Sequence, residues 1–176
     1  MNVMAGDIET TNSSSGEFFW YALKVRTRSE FLAAKALQYK GYEPFCPTYP
    51  ERRRYSDRMK VVENVAFPGY LFCQFDPGKK IPIISSCAIE YIVGMRGTPV
   101  PIPDQQIADI RRALAAGARP SPYFRVGQRV RVEYGALVGV EGVLATDANT
   151  GRLIVSIDLL QRSVALHIDE HQVRAV

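Results

Sequence analysis

The chain has no Cys-x-x-Cys pair, only two histidines and three cysteines, and no long apolar run. Cys46, Cys73 and Cys87 are odd in number and widely spaced, which supports neither a zinc site nor a redox dithiol. They read as reduced thiols, the expectation for a cytoplasmic protein. No apolar stretch approaches the ~18 residues of a membrane span. The polar start, residues 1–16, lacks the basic end and apolar stretch of a signal peptide and reads as a flexible tail. His167 and His171 have a spacing that suits a metal on a helix. Their surroundings read as strand and turn, no third ligand accompanies them, and His-Ile-Asp-Glu-His is not the zincin order. There is no Walker loop, no Gly-x-Gly-x-x-Gly, no nucleophile elbow and no carboxylate pair set for acid–base work. The expectation is a binding protein, not an enzyme, with no metal and no cofactor.

What the chain does have is enough apolar material for a core: 47% of its 176 residues are hydrophobic and 23% charged. That length suits one domain or two small ones. The net charge of +4 is mildly basic and permits contact with a polyanion. It is unevenly placed. Residues 17–117 carry 15 basic and 10 acidic side chains, whereas residues 118–176 carry 7 and 6. A polyanion-binding surface is therefore expected in the first half.

The most informative stretch is Ala66-Phe67-Pro68-Gly69-Tyr70-Leu71-Phe72-Cys73-Gln74-Phe75. Tyr70, Phe72 and Gln74 alternate with Leu71, Cys73 and Phe75, so the strand is apolar on both faces and belongs inside a covered sheet. Phe67, held extended by the following proline, is either a core plug or a docking anchor. Upstream, residues 18–25 read as a strand. Thr27-Arg28-Ser29-Glu30 fits a capping box, Thr27 as N-cap and Glu30 reaching back. The helix that follows places Leu32, Ala33, Ala36 and Leu37 on one stripe, Phe31, Lys35 and Gln38 opposite, and stops at Gly41. Residues 42–49 read as a second extended run, residues 51–60 as a basic loop or hairpin tip, and residues 90–95 as a strand. A second helix follows Pro101–Asp104, with Ile107, Ile110 and Leu114 on one stripe and Gly117 beyond its end.

Ala118-Arg119-Pro120-Ser121-Pro122 breaks the pattern and marks a linker. The rhythm then changes to short alternating strands with recurrent glycines, about five in ~50 residues, as in a small barrel. The chain divides into a tail (1–16), a first domain (17–117), a linker (118–124) and a second domain (125–176).

Trp20-Tyr21, the first helix, Phe67-Pro68-Gly69-Tyr70-Leu71-Phe72 and the second helix together resemble the N-terminal domain of NusG-type transcription elongation factors. Gly127-Gln128-Arg129-Val130-Arg131-Val132 through Gly135 to Gly142-Val143 resembles the KOW domain that follows it in that family. The resemblance implies an α+β fold: an antiparallel sheet flanked by helices, then a small SH3-like β-barrel. It implies docking on the clamp helices of the largest subunit of bacterial RNA polymerase, with suppression of pausing. Phe67 matches the aromatic that the family inserts at that interface, with Pro68 and Tyr70 beside it. Arg26 and Arg28 match the junction that faces non-template DNA in specialised members. Arg52, Arg53 and Arg54, with Arg58 and Lys60, form the densest basic cluster, which reads either as a phosphate-binding site or as a solvated loop. Lys79 to Ser86 matches a second polymerase contact but lacks its His-Thr-Thr motif.

Housekeeping members carry a Phe-Gly-Arg barrel loop that meets a ribosomal protein or Rho. Here Leu159-Leu160-Gln161-Arg162 stands in its place, keeping only Arg162. This departure, with the Tyr-Leu-Phe strand and Asp-Pro after it, resembles specialised antiterminators of the RfaH and UpxY type. The frequent valines, isoleucines and glycines predict a barrel rather than a helical hairpin for the second domain. The alternatives are a general elongation factor coupling transcription to Rho or the ribosome, and a stand-alone RNA-binding KOW protein. No membrane partner is expected.

Overall fold

A computed structural model describes residues 17–54, 57–121, 127–147, 150–169 and 172–176. The expected tail, the linker beyond Ser121, and His171 lie outside that set.

The first half runs β1 (Phe19–Val25), α1 (Glu30–Tyr39), β2 (Pro44–Phe45), β3 (Thr48–Arg54), β4 (Met59–Val65), β5 (Tyr70–Phe75), α2 (Ile81–Ile84), β6 (Ile89–Ile92), β7 (Gly94–Met95), β8 (Thr98–Pro99) and α3 (Asp104–Ala115). An antiparallel sheet of order β2-β5-β1-β6 is its centre. β5 is an interior strand, and its alternation divides two cores. Leu71, Cys73 and Phe75 join Tyr21, Leu23, Ala33 and Leu37 on the α1 side. Phe72 joins Trp20, Ala22, Ile107 and Ile110 on the α3 side.

The second half forms a six-stranded antiparallel sheet compatible with the expected barrel. Its strands are β9 (Arg119–Ser121), β10 (Gln128–Val132), β11 (Glu141–Asp147), β12 (Thr150–Ile157), β13 (Arg162–His167) and β14 (Val173–Ala175), in the order β14-β10-β11-β12-β13-β9. The α3-side core continues into this sheet through Val130, Leu153, Val155 and Val164. α3 is thus the shared layer between the two halves. Its amphipathic stripe covers the first sheet, and the helix also packs on β12 and β13.

Several local expectations are corrected. The capping box does not form: α1 begins at Glu30 after Ser29, with no side-chain cap bond. The Glu30 carboxylate instead turns inward and is buried. Leu32 lies about 200° around the helix from Glu30 at 3.6 residues per turn, so it faces solvent, 54% exposed, rather than the core. Residues 42–49 split into β2 and β3, and residues 90–95 into β6 and β7. Arg119–Ser121, expected as linker, is an edge strand in which Pro120 pairs opposite Val164. An edge strand tolerates the missing proline N–H. Arg52–Arg54 belong to strand β3 of the β3–β4 hairpin, not to its tip.

Candidate functional site

Phe67-Pro68-Gly69-Tyr70 closes as a type II turn. Tyr70 N–H donates to the Phe67 carbonyl at 3.0 Å, proline holds the second position, and Gly69 takes φ +81° at the third. A Cβ on Gly69 would also stand 2.6 Å from Lys24 Nζ. Both neighbours brace the turn. Gly69 N–H donates to Glu30 Oε1 at 2.7 Å, and Val25 N–H donates to the Gly69 carbonyl at 3.0 Å. Phe67 itself has no exposed surface and stands edge-on to Phe72, centroids 5.8 Å apart. In this conformation it plugs the core. The turn presents exposed Pro68 and half-buried Tyr70 to solvent.

A chain of rings leads outward from Phe67. Phe72 touches Phe45 at 6.1 Å, and the Arg111 guanidinium lies over Phe45 at 4.5 Å and over Trp20 at 5.2 Å. Two further cations cover rings at the same core: Lys24 over Tyr70 at 4.8 Å and Arg119 over Tyr49 at 5.0 Å. Arg119 also donates to the Pro50 carbonyl at 2.5 Å, tying the β3–β4 hairpin to β9.

Arg26 and Arg28 are exposed in the β1–α1 loop. This loop adjoins the turn through Val25 and meets the 85–88 loop through Arg26 N–H donating to the Ala88 carbonyl at 3.0 Å. Arg28 and Ala88 both hold φ +66°, unusual for residues with a Cβ, so two strained positions occupy touching loops. The Arg52–Arg54 cluster is placed apart from these. From the hairpin root at Thr48, the arginines stand roughly 13–20 Å out at ~3.3 Å per residue. They also divide between faces. Arg53 pairs with Glu51 at 3.0 Å on one side, while Arg52 and Arg54 share the other with Val61 and Met59.

In the second half, Leu159 is half-buried, Leu160 buried and Arg162 exposed, with Gln161 left-handed at φ +50° between them. This loop meets α3: Gln106 Nε2 donates to Asp158 Oδ2 at 3.3 Å. Asp109, buried on α3, accepts from Gln105 Nε2 at 2.8 Å and from Glu141 N–H of β11 at 3.3 Å. Its burial raises the carboxyl above the ordinary value of 3.8, against those hydrogen bonds and nearby Arg112. Arg112 donates to the Val138 carbonyl. Burial also pushes the Cys46 thiol up to about 11 and Cys73 to about 12, while Cys87 is exposed. His167 is exposed on β13.

Sequence reasoning missed Glu30, Arg111 and Asp109. Glu30 carries a local capping signal, but its partner, the Gly69 amide, lies 39 residues along the chain. Arg111 flanks the apolar stripe of α3 without belonging to it. Its rings, on Trp20 and Phe45, are remote in sequence.

A family model described as transcription termination factor nusG matches residues 18–111. Among curated relatives, the transcription termination/antitermination protein NusG of Lactococcus lactis is 29% identical over 136 residues, spanning 74% of this chain and 73% of that protein. The protein of the same name from Thermus thermophilus is 28% identical over 177 residues, spanning 88% and 96%. A solved structure described as "Domain interaction in Thermotoga maritima NusG" superposes with a TM-score of 0.54 at 18% identity, covering 91% of this chain and 98% of that one. That likeness concerns the fold. The matched region holds the braced turn, the sheet that carries it and the first two turns of α3, and on that match the chain belongs to the NusG family.

Proposed function

We propose that this protein is a transcription elongation and antitermination factor that docks on the clamp helices of the largest subunit of bacterial RNA polymerase. The observation that carries this reading is the braced Phe67–Tyr70 turn inside the region matched by the family. The curated relatives' names, termination/antitermination protein, agree with it. Phe67, Pro68 and Tyr70 form the docking site: Pro68 and Tyr70 meet the partner, and Phe67 supports the ring chain beneath. Binding the closed clamp better than the open one shifts the population toward the elongating state, without bond chemistry. Arg26 and Arg28 sit beside this turn and would face displaced DNA. Arg52 and Arg54 would add phosphate contacts from the hairpin.

Action on particular operons rests on the Leu159-Leu160-Gln161-Arg162 loop, which lacks the aromatic and glycine of housekeeping members. In this reading Leu159, Leu160 and Arg162 of the KOW domain meet a different partner. The second reading is a general elongation factor recruiting Rho or a ribosomal protein, and the relatives' names favour it.

Pause lifetimes on a purified transcription system test the proposal. Added protein should shorten pauses, on all templates for a general factor and only with one promoter-proximal element for a specialised one. Unchanged lifetimes under saturating protein would reject the elongation role.

A further inference from the structure

We propose that Arg111 is a carboxylate-binding residue, and that the aromatic rim around it receives an acidic protein surface. This rests on the polymerase-docking reading and names the chemistry of the contact. Arg111 is exposed, yet its guanidinium is fixed in place by lying over Phe45 at 4.5 Å and Trp20 at 5.2 Å. Among the described residues it makes no ion pair and no hydrogen bond. A stacked guanidinium keeps its N–H edge free, and that planar fork matches a carboxylate with two parallel bonds. Because the rings already hold it, little side-chain freedom remains to be lost on binding.

Two further observations select a protein carboxylate over a nucleic acid base. Single-stranded nucleic acid binds by stacking bases on open aromatic faces. Here Phe45 and Trp20 share Arg111, and Tyr70 lies under Lys24 at 4.8 Å, so each of these rings already carries a cation. The same surface joins apolar ring edges to positive charge, which complements an acidic face that also offers apolar side chains. The ring chain Phe67–Phe72–Phe45 connects this surface to the braced turn from beneath, through the buried Phe67 and Phe72.

The test is equilibrium binding of the full chain to purified bacterial core RNA polymerase at about 50 and about 200 mM salt. Arg111→Met keeps apolar contact with the rings and removes the charge. Arg111→Lys keeps the charge and removes the fork. Circular dichroism confirms that each variant is folded, and the exposure of Arg111 makes both tolerable. The expected result is about a tenfold loss for Arg111→Met, about 1.4 kcal/mol, with a weaker salt dependence, and a smaller loss for Arg111→Lys. Wild-type binding matched by Arg111→Met at both salts would overturn the inference and leave the docking reading intact. No binding by the wild-type chain would reject the docking reading, and the inference with it. Loss of duplex-DNA binding with unchanged polymerase binding would assign Arg111 to phosphate and also overturn it.

Discussion

Replacing Glu30 by alanine should destabilise the fold by about 2 kcal/mol. Glu30 Oε1 accepts from the Gly69 amide at 2.7 Å in a buried site. Truncation leaves that N–H without its protein partner, a loss of about 1–3 kcal/mol for a buried donor. Glu30→Gln retains an acceptor oxygen at the same reach and should lose about 1 kcal/mol or less. In a chain of this length, 2 kcal/mol lowers the melting temperature by about 4–8 °C. Urea unfolding followed by the fluorescence of Trp20, the sole tryptophan, measures it. Thr27→Ala is the control that separates the two accounts of Glu30. A capping box would make Thr27→Ala lose about 1 kcal/mol. The structure shows an exposed Thr27 and no cap bond, so that variant should stay within about 0.5 kcal/mol of wild type. A harmless Glu30→Ala, or equal losses at both positions, would refute the bracing role.

Asp109 should make stability depend on pH in a known direction. Its folded carboxyl titrates above 3.8, so the folded state binds more protons than the unfolded chain in the window between the two values. Wild type should therefore gain stability relative to Asp109→Asn as pH falls toward 3.8; a constant difference would contradict this. A chromogenic disulfide reagent should label exposed Cys87 rapidly in the native protein, and buried Cys73 only on unfolding; three fast thiols would contradict the burial. In duplex-DNA binding, Arg52→Ala and Arg54→Ala should each flatten the salt dependence by about one phosphate contact, and Arg53→Ala, paired with Glu51, by less. Equal effects at all three would count against the division of the arginines between the hairpin faces.

The parts of the fold written in local periodicity were readable from residues. The two-faced alternation of β5 placed Leu71, Cys73 and Phe75 against Phe72 on opposite sides, and the stripe of Ile107, Ile110 and Leu114 gave α3. What was not readable depends on partners far along the chain. Glu30 fits a capping box locally, but Gly69, in the turn before β5, offers its amide to the same carboxylate. Arg119-Pro120-Ser121 has the composition of a linker, yet β13 supplies an edge on which it pairs. For the candidate site, Phe67, Pro68 and Tyr70 stood out in the sequence as the start of a strand, and the turn they form was not read, although proline followed by glycine specifies its geometry. The burial of Phe67 was not, since an aromatic before a proline serves equally as plug or anchor until its neighbours are known. The cations over Phe45, Tyr49 and Tyr70 left no sequence trace, because stacking joins side chains from unconnected elements.

The most direct measurement is photo-crosslinking from the turn. A photoreactive phenylalanine analogue in place of Tyr70, incubated with bacterial core RNA polymerase, should crosslink to the clamp helices of the largest subunit. Binding without a crosslink there, or a crosslink to another part of the enzyme, would contradict docking through the Phe67–Tyr70 turn.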